Sequence, residues 1–200
     1  MKESKVFNGK LIVLTAPSGG GKTTVKRHLL KTYDELGFSI SVTTREIRPK
    51  EVDGVDYYFK SVEEFHQLKD NDEFVEWEEV YEGLFYGTLK SEVDRLWKNH
   101  KHIVFDVDVN GAEDIKKLYG DSCLAIFIRP PSIQVIIDRL KARATETEVS
   151  LAKRIRRMEK EMSHEKEFDI VLVNDLLAVA LKESEYLVES FLDIGQVEEE

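Results

Sequence analysis

The stretch that decides the fold is Leu11-Ile-Val-Leu-Thr-Ala-Pro-Ser-Gly-Gly-Gly-Lys-Thr-Thr24, near the start of the chain. Its apolar run, 11–14, predicts a strand buried on both faces. After it, apolar side chains recur at helical spacing at Val25, Leu29 and Tyr33. Consecutive glycines allow backbone N–H groups to turn inward around an anion, and a helix that begins near Lys22 adds its positive N-terminal end. The stretch therefore predicts a strand, loop and helix that bind the phosphates of a nucleotide.

Each residue of this loop has an expected part in phosphate binding. The Lys22 ammonium reaches the β and γ phosphates and is the first catalytic candidate, while the Thr23 hydroxyl is a ligand for Mg²⁺. The usual motif has glycine where Ala16 stands, and alanine suits that position if its φ stays negative. The alternative is a glycine-rich turn with Lys22 in solvent. The expected phosphate-binding residues are Ala16, Pro17, Ser18, Gly19, Gly20, Gly21, Lys22, Thr23 and Thr24.

The remaining chain predicts an α/β fold with a parallel core sheet. Further continuous apolar runs at 103–105, 124–128 and 170–173 alternate with segments of helical spacing, which is typical of parallel strands joined by helices. Residues 39–97 interrupt this rhythm with short aromatic pieces and predict an inserted mixed α+β lobe. The expected domains are a P-loop core of residues 1–38 and 98–200, which ends in an acidic tail at about 193–200, and the lobe 39–97.

Two details of local structure follow from spacing. Ser61 and Glu64 stand three apart ahead of apolar residues, which predicts a capping box at the start of a helix. Asp106 and Asp108 stand two apart at the end of the run that begins at His102. Strand periodicity puts them on one face, at the carboxyl end of a strand beside the phosphate loop, where carboxylates meet substrate or metal. Asp106 is the candidate for a water-mediated Mg²⁺ contact; the alternative is two solvated turn carboxylates.

The inserted lobe carries motifs that resemble those of guanylate kinases in order and spacing. The matching stretches are Ser41-Val-Thr-Thr-Arg-Glu-Ile-Arg48, Glu51-Val-Asp-Gly-Val-Asp-Tyr-Tyr-Phe59, Phe74-Val-Glu-Trp77 and Tyr86-Gly-Thr88. The resemblance extends from roughly Lys10 to Leu192. Among its departures, Lys50 stands where the family usually has glycine.

This resemblance implies a set of residues around GMP. Arg45, Arg48 and Tyr57 are expected on its phosphate, where arginine forks and a tyrosine hydroxyl donate hydrogen bonds. The residues expected around the guanine end are Ser41, Glu76, Tyr86, Thr88 and Asp108. A carboxylate at Glu76 can accept from the N1–H and N2–H donors that guanine displays, whereas adenine has an acceptor at N1. The alternatives are solvated arginines and an exposed acidic face at 76–79.

The resemblance also implies a mobile helical lid at about 138–160 within the core, and a further nucleotide contact. Arg139, Arg143 and Arg154 are the catalytic candidates of the lid, because phosphoryl transfer between two anions needs positive charge on the transferring group. Asn174 matches a position near the adenine of ATP, although asparagine after a strand is as often a turn residue.

These features predict an enzyme that converts ATP and GMP to ADP and GDP, with Mg²⁺ accompanying ATP as co-substrate. Acceptance of dGMP stays open. One alternative is a non-catalytic guanylate-kinase-like interaction module, against which the glycine loop and lid arginines argue. Another is a kinase for a different phosphorylated acceptor, against which Ser41, Glu76 and Thr88 argue.

Composition limits the other functional classes. The 200 residues carry a formal net charge of −10, which argues against nucleic acid or a membrane surface as the main partner. Cys123 lies in an apolar run and predicts a buried structural thiol, and the five histidines lack zinc-type spacing. The start of the chain lacks a leader pattern and the sequence lacks a membrane span, so we expect a cytoplasmic protein. No oligomeric state is indicated.

Overall fold

The computed structural model describes residues 7–17, 19–135, 137 and 148–194, and for residues 148–154 it describes the backbone alone. The strands are β1 (Leu11–Thr15), β2 (Leu36–Phe38), β3 (Val42–Thr43), β4 (Tyr58–Phe59), β5 (Phe74–Tyr81), β6 (Leu84–Leu89), β7 (His102–Asp106), β8 (Cys123–Arg129) and β9 (Ile170–Val173). The helices are α1 (Lys22–Thr32), α2 (Val62–Asp70), α3 (Lys90–Lys98), α4 (Val109–Tyr119), α5 (Glu148–Ser163) and α6 (Leu177–Leu192), with short 3₁₀ turns at Gly120–Ser122 and Glu165–Glu167. The predicted α/β class is confirmed.

A five-stranded sheet has the order β2-β7-β1-β8-β9. The pairings of β2 with β7, β1 with β8 and β8 with β9 are parallel. The four apolar runs of the sequence correspond to β1, β7, β8 and β9, so the predicted parallel strands are confirmed. Their continuous apolar character follows from burial on both faces, because Leu11 to Leu14 are fully buried. Strand β2 was not predicted, because its three residues, Leu-Gly-Phe, are too few for a periodic signal.

The chain divides into two compact units, and the division falls within β7. Among the described residues, the first unit comprises residues 7–9 and Glu35–Val104, and the second comprises Lys10–Asp34 and residues 105–194. The lobe limits predicted from sequence, 39 and 97, stay a prediction.

The first unit contains a four-stranded sheet with the order β4-β3-β6-β5. One face of this sheet is apolar, and Val42, Phe74 and Phe85 pack there around Phe65 of α2. The Phe65 ring stacks on Phe74 with centroids 4.6 Å apart. The predicted capping box that begins α2 is confirmed, because the Ser61 side chain accepts from the Glu64 N–H and the Glu64 carboxylate accepts from the Ser61 N–H.

Strand β5 contains a β-bulge between Phe74 and Glu76. Phe74 pairs with Leu89 and Glu76 pairs with Thr88, so two steps along β5 match one step along β6. Val75 is the additional residue. Phe74 and Glu76 consequently lie on opposite faces despite their spacing of two, the phenylalanine in the apolar core and the glutamate on the other side.

In the second unit, helix α1 packs against α6. Val25 and Leu29 form the buried side of α1. Two side-chain contacts connect the helices: His28 Nε2 lies 2.7 Å from Glu185 Oε1, and the Tyr33 hydroxyl donates to Glu189 Oε1 at 2.6 Å. These contacts anchor the helix whose first turn follows the phosphate loop.

Two smaller findings complete the fold. Cys123 is buried at the start of β8, as predicted, and burial raises the pKa of its thiol to about 12. In the part of the chain that the structure describes, no helix is long and apolar enough to cross a membrane.

Candidate active site

The predicted phosphate loop connects β1 to α1. Gly19 has φ 87° and Gly21, the N-cap of α1, has φ 105°, conformations that glycine adopts without the steric cost of a Cβ. The Gly20 N–H donates to Pro17 O at 2.8 Å and closes a turn, while Ala16 does not adopt a positive φ. Thr23 and Thr24 are exposed in the first helical turn. Ser18 lies outside the described residues.

Asn174 lies against this loop and is buried at the end of β9. Its amide nitrogen donates to Gly20 O at 2.8 Å. A Cβ on Gly21 would collide with the same amide nitrogen, so glycine there serves close packing as well as its positive φ. The structure thus gives Asn174 a supporting role for the phosphate loop, and its expected contact with adenine stays a prediction.

Lys22 and Lys26 flank one buried carboxylate. Lys22 Nζ lies 3.2 Å from Asp106 Oδ1, and Lys26 Nζ lies 2.8 Å from Asp106 Oδ2. Lys22 also donates to Val107 O at 2.7 Å. Burial by itself would raise the pKa of Asp106, but the charges of the two lysines hold it below its usual range. Sequence analysis did not single out Lys26, although a spacing of four places it above Lys22 on one helix face.

The prediction that Asp106 and Asp108 share a strand face is wrong. Strand β7 ends at Asp106, and Asp108 is instead the N-cap of α4, whose side chain accepts from the Gly111 N–H. Aspartate at this position satisfies a free amide of the first helical turn, so the helix determines its conformation. Its second oxygen, Oδ2, lies 3.4 Å from Arg157 Nη2 on α5. Arg157 also pairs with Glu161 at 2.6 Å and was not predicted.

The lid candidates can be located only in part. Arg139 and Arg143 lie outside the described residues. Arg154 belongs to α5, of which the backbone is helical there. The second half of this helix packs through Met158, with Ile133, Ile137 and Ile155 around it.

Three of the residues expected around guanine in the first unit share one sheet face. Tyr86 and Thr88 alternate along β6 and therefore point to the same side. Tyr86 is opposite Thr43, and Thr88 is opposite Glu76. The structure thus brings together the predicted Glu76, Tyr86 and Thr88, on the face opposite the apolar core. Ser41 is buried directly before β3, where its carbonyl oxygen accepts from the Tyr58 N–H at 2.9 Å.

Burial distinguishes between the two interpretations of Glu76. Its exposed fraction is 7%, whereas its neighbours Trp77 and Glu79 are exposed. The alternative in which Glu76 belongs to a solvated acidic face is therefore wrong. Opposite it, Thr88 is fully buried, and its Oγ1 has no hydrogen-bond partner in the described structure. A buried hydroxyl without a partner is costly, and a bound polar ligand would supply one.

Arg45 lies at the edge of this face among aromatic rings. Its guanidinium carbon is 5.4 Å from the Tyr57 ring centroid, and Nη2 donates to Glu51 Oε1 at 2.8 Å. Burial would lower the pKa of Arg45, but hydrogen bonds with Glu51 and Tyr86 raise it. The structure thus assembles Arg45, Tyr57 and Tyr86, whereas Arg48 is exposed. Glu51 occupies the arginine fork as an internal anion.

The loop that carries Glu51 contains an unusual backbone conformation. The Glu51 N–H donates to Arg48 O at 3.1 Å, and Lys50 has φ 76°. Proline at 49 and a positive φ at 50 match the requirements of a type II turn, in which glycine is preferred at the third residue. Lysine is therefore strained at the position where the sequence departs from the resembling family.

The chain is similar to known proteins over most of its length. A family model described as "Guanylate kinase" matches residues 8–191. The guanylate kinase of Porphyromonas gingivalis is 47% identical over 184 residues, which cover 92% of this chain and 98% of that protein. The guanylate kinase of Salinibacter ruber is 44% identical over 182 residues, with 91% and 96% covered.

A solved structure agrees with these sequence matches. The crystal structure of guanylate kinase from Anaplasma phagocytophilum has a TM-score of 0.73 and 30% identity to this chain. The match covers 93% of this chain and 87% of that one. Sequence and fold thus point to the same group of proteins.

Proposed function

This chain belongs to the guanylate kinase family, and from that premise we propose that it transfers the γ-phosphoryl group of ATP to GMP, giving ADP and GDP. The observation that carries the proposal is the buried pair of Glu76 and Thr88, directly opposite each other on β5 and β6. A carboxylate and a hydroxyl at that position suit a base that presents adjacent N–H donors. Guanine presents them at N1 and N2, and adenine does not.

The acceptor phosphate has its own set of donors in the proposal. Arg45 supplies a guanidinium beside the Tyr57 ring, and Arg48 stands exposed three residues later. Planar arginine forks bind phosphate oxygens in pairs, so these two residues and the Tyr57 hydroxyl suit a monophosphate. The Glu51 carboxylate lies 2.8 Å from Arg45 Nη2, and in the proposal the GMP phosphate displaces it from Arg45. Ser41 and Tyr86 complete the acceptor set, and we retain Asp108 in it as a proposal.

The donor is held by the phosphate loop. The backbone of residues 16–24 and the first turn of α1 surround the ATP phosphates, and Lys22 neutralises charge on the transferring group. Lys22 can keep its bonds to Val107 O and Asp106 while it does so, because an ammonium has three donors. No general base is needed, since a phosphate monoester with a second pKa of about 6 is mostly dianionic at neutral pH.

Mg²⁺ suits the residues at this loop. Mg²⁺ is a hard cation that is bound mainly by substrate phosphates together with one or two protein oxygens. The exposed Thr23 hydroxyl is available as a direct ligand. Asp106 already accepts from two lysines and therefore suits a contact through water. When bound, Mg²⁺ supplies charge neutralisation at the phosphates.

The lid remains part of the proposal. Arg139, Arg143 and Arg154 are proposed to act on the transferring phosphoryl group and to exclude water, as positive side chains on closing segments do in phosphoryl transfer. Asn174 is proposed near adenine in addition to its bond with Gly20. We place the reaction in the cytoplasm, where ATP and GMP are available.

A panel of acceptors tests the proposal. The protein is incubated with ATP, Mg²⁺ and one of GMP, dGMP, AMP, CMP or UMP, and the diphosphates are separated by chromatography. We expect GMP to be phosphorylated faster than AMP, CMP or UMP. We also expect EDTA to stop the reaction. Faster consumption of AMP, CMP or UMP would assign another acceptor; the loss of the monophosphate is followed because ATP itself yields ADP in every reaction. No diphosphate from any acceptor would support the interaction module, which no relative described above favours.

A further inference from the structure

Glu92 is a buried carboxylate that the proposed reaction does not use. It lies in the first turn of α3, and its exposed fraction is 3%. Oε1 accepts from the Tyr58 hydroxyl at 2.9 Å and from Arg95 Nε at 2.8 Å, while Oε2 accepts from the Ile40 N–H at 3.0 Å and from Arg95 Nη2 at 2.8 Å. Burial would raise the pKa of Glu92, but these hydrogen bonds lower it. The charge is therefore fully compensated by four donors.

Two of those donors adjoin residues proposed to bind GMP. Ile40 directly precedes Ser41, and Tyr58 directly follows Tyr57. The Tyr58 N–H also donates to Ser41 O at 2.9 Å, so the two segments are already hydrogen-bonded to each other. The Glu92 carboxylate accepts from the backbone N–H of Ile40 in one segment and from the side-chain hydroxyl of Tyr58 in the other. A single carboxylate thus fixes where β3 and β4 begin.

We propose that Glu92 is a positioning residue for GMP, which holds Ser41 and Tyr57 in their binding geometry without touching the substrate. The inference rests on the proposed function, because it concerns the acceptor that Ser41 and Tyr57 bind. Arg95 completes the arrangement: its two bonds keep the carboxylate ionised and oriented. Helix α3 thereby becomes part of the support for the acceptor-binding face.

The carboxylate is needed for more than its shape. Glutamine in its place would present one oxygen and one NH₂ group, and the NH₂ group is a donor that faces other donors. With its NH₂ group at the Oε2 position, the amide would oppose the Ile40 N–H and Arg95 Nη2. With the NH₂ group at the Oε1 position, it would oppose Arg95 Nε and donate to the Tyr58 hydroxyl, which can also accept. In either orientation Glu92→Gln loses the negative charge and a bond with Arg95, which should weaken its hold on the two segments while it keeps the volume of the side chain.

The test compares Glu92→Gln with Asp94→Asn, a matched amide substitution at an exposed position of the same helix. We expect Glu92→Gln to raise the KM for GMP about 10-fold, the scale of a lost hydrogen bond to a charged group. The KM for ATP should change less than about 2-fold, since ATP binding does not depend on these segments. Asp94→Asn should leave both constants unchanged. Thermal unfolding is measured for each protein.

Two results would overturn the inference. A folded Glu92→Gln with an unchanged KM for GMP and a lower Tm would reduce Glu92 to a purely structural residue. Equal increases in the KM values for GMP and ATP would show general loosening instead of acceptor positioning. A wild-type protein that fails to phosphorylate GMP would contradict the proposed function itself, and this result is distinct from either of them.

Tyr58→Phe keeps the proposal testable if Glu92→Gln fails to fold. It removes one donor and leaves the carboxylate with Arg95 and the Ile40 N–H, so folding is less affected. We expect the KM for GMP to rise about 3-fold, a smaller loss because the donor is neutral. An unchanged KM for GMP in folded Tyr58→Phe would overturn the inference. In the double variant, the two effects on KM should combine to less than their product, because both changes act on one hydrogen bond.

Discussion

The ammonium of Lys22 and the carboxylate of Asp106 form an ion pair of 3.2 Å at the phosphate loop. Lys22 Nζ also donates to Val107 O at 2.7 Å, so two bonds hold the ammonium in place. Lys26 supplies a further charge to Asp106 at 2.8 Å. Lys22 therefore keeps one N–H donor for a phosphate oxygen while its other two stay bonded, and Asp106 has Lys26 as a second partner.

Lys22→Ala should lower kcat by about 10³-fold, because the lost charge acts most strongly in the transition state. Folding should be little affected, since Lys26 still compensates Asp106. Steady-state kinetics and thermal unfolding measure the two effects. Lys31→Ala, at an exposed position of the same helix, is the control. Near wild-type activity of Lys22→Ala at an unchanged Tm would contradict the phosphate-loop assignment.

Glu76→Gln should weaken GMP binding by about 10- to 150-fold, which corresponds to roughly 1.5–3 kcal/mol for a hydrogen bond to a charged group. The affinity for ATP should stay the same. The new amide donor can face adenine N1, so the preference for GMP over AMP should decrease. The ratio of kcat/KM for GMP to that for AMP is the measurement. Glu79→Gln, exposed on the same strand, should keep that ratio, and a constant ratio in Glu76→Gln would exclude Glu76 from the guanine site.

Arg45 and Arg143 should differ in what their loss impairs. Arg45 lies beside Tyr57 in the acceptor set, so Arg45→Met should mainly raise the KM for GMP. Arg143, proposed to act on the transferring group, should mainly lower kcat when it is changed to methionine. Parallel kinetics with varied GMP separate the two. A normal kcat with a greatly raised KM for GMP in Arg143→Met would move that residue from the lid to the acceptor site.

Lys50→Gly should stabilise the protein, because glycine relieves the strain of φ 76° in the Arg48–Glu51 turn. The gain should be at most about 1 kcal/mol, since glycine also increases the entropy of the unfolded chain. Lys50→Ala keeps the Cβ and is the matched control, for which we expect no gain. Thermal unfolding compares all three proteins. Equal Tm values for the glycine and alanine variants would show that the turn is not strained by its side chain.

Cys123 should resist thiol reagents in the folded protein. Burial raises the pKa of its thiol to about 12, so the reactive thiolate is scarce at every pH up to about 10. A chromogenic disulfide reagent at pH 8 should label the native protein slowly and the denatured protein completely. Raising the pH from 8 to 9 should increase the slow native rate about 10-fold, because the thiolate fraction of a thiol with a pKa of about 12 rises tenfold per pH unit in this range. Rapid native labelling at pH 8 would contradict the burial of this thiol.

The sequence predicted the elements that carry continuous or periodic patterns. The apolar runs of β1, β7, β8 and β9 and the Ser61–Glu64 capping box were all located correctly, because each pattern comes from neighbours along the chain. The two-residue strands β3 and β4 and the three-residue β2 are set by pairing with distant residues. Their own sequences are too short to indicate them.

The candidate site was predictable where a motif exists and not where tertiary contacts decide. The proposed acceptor residues come from the resemblance to a family, and the face shared by Glu76 and Thr88 required the strand register. The position of Asp108 was predicted wrongly because strand alternation was extended two residues past Asp106, where β7 ends. Glu92 had no sequence signal at all. Its importance lies in donors from Ile40, Tyr58 and Arg95, which only the folded chain assembles.

The bulge at Val75 has a consequence for how chains of different length should be compared. A strand shortened by this one residue would return to regular pairing, with the same phenylalanine in the core and the same glutamate on the opposite side. A deletion at this point should therefore leave the site face unchanged, whereas a deletion at Glu76 or Trp77, ahead of the second register shift between Glu79 and Tyr81, would turn the side chains that follow it onto the other face. In an alignment of related chains, a gap at Val75 would therefore carry no information about nucleotide preference. A gap at Trp77 would, because it changes which side chains face the site.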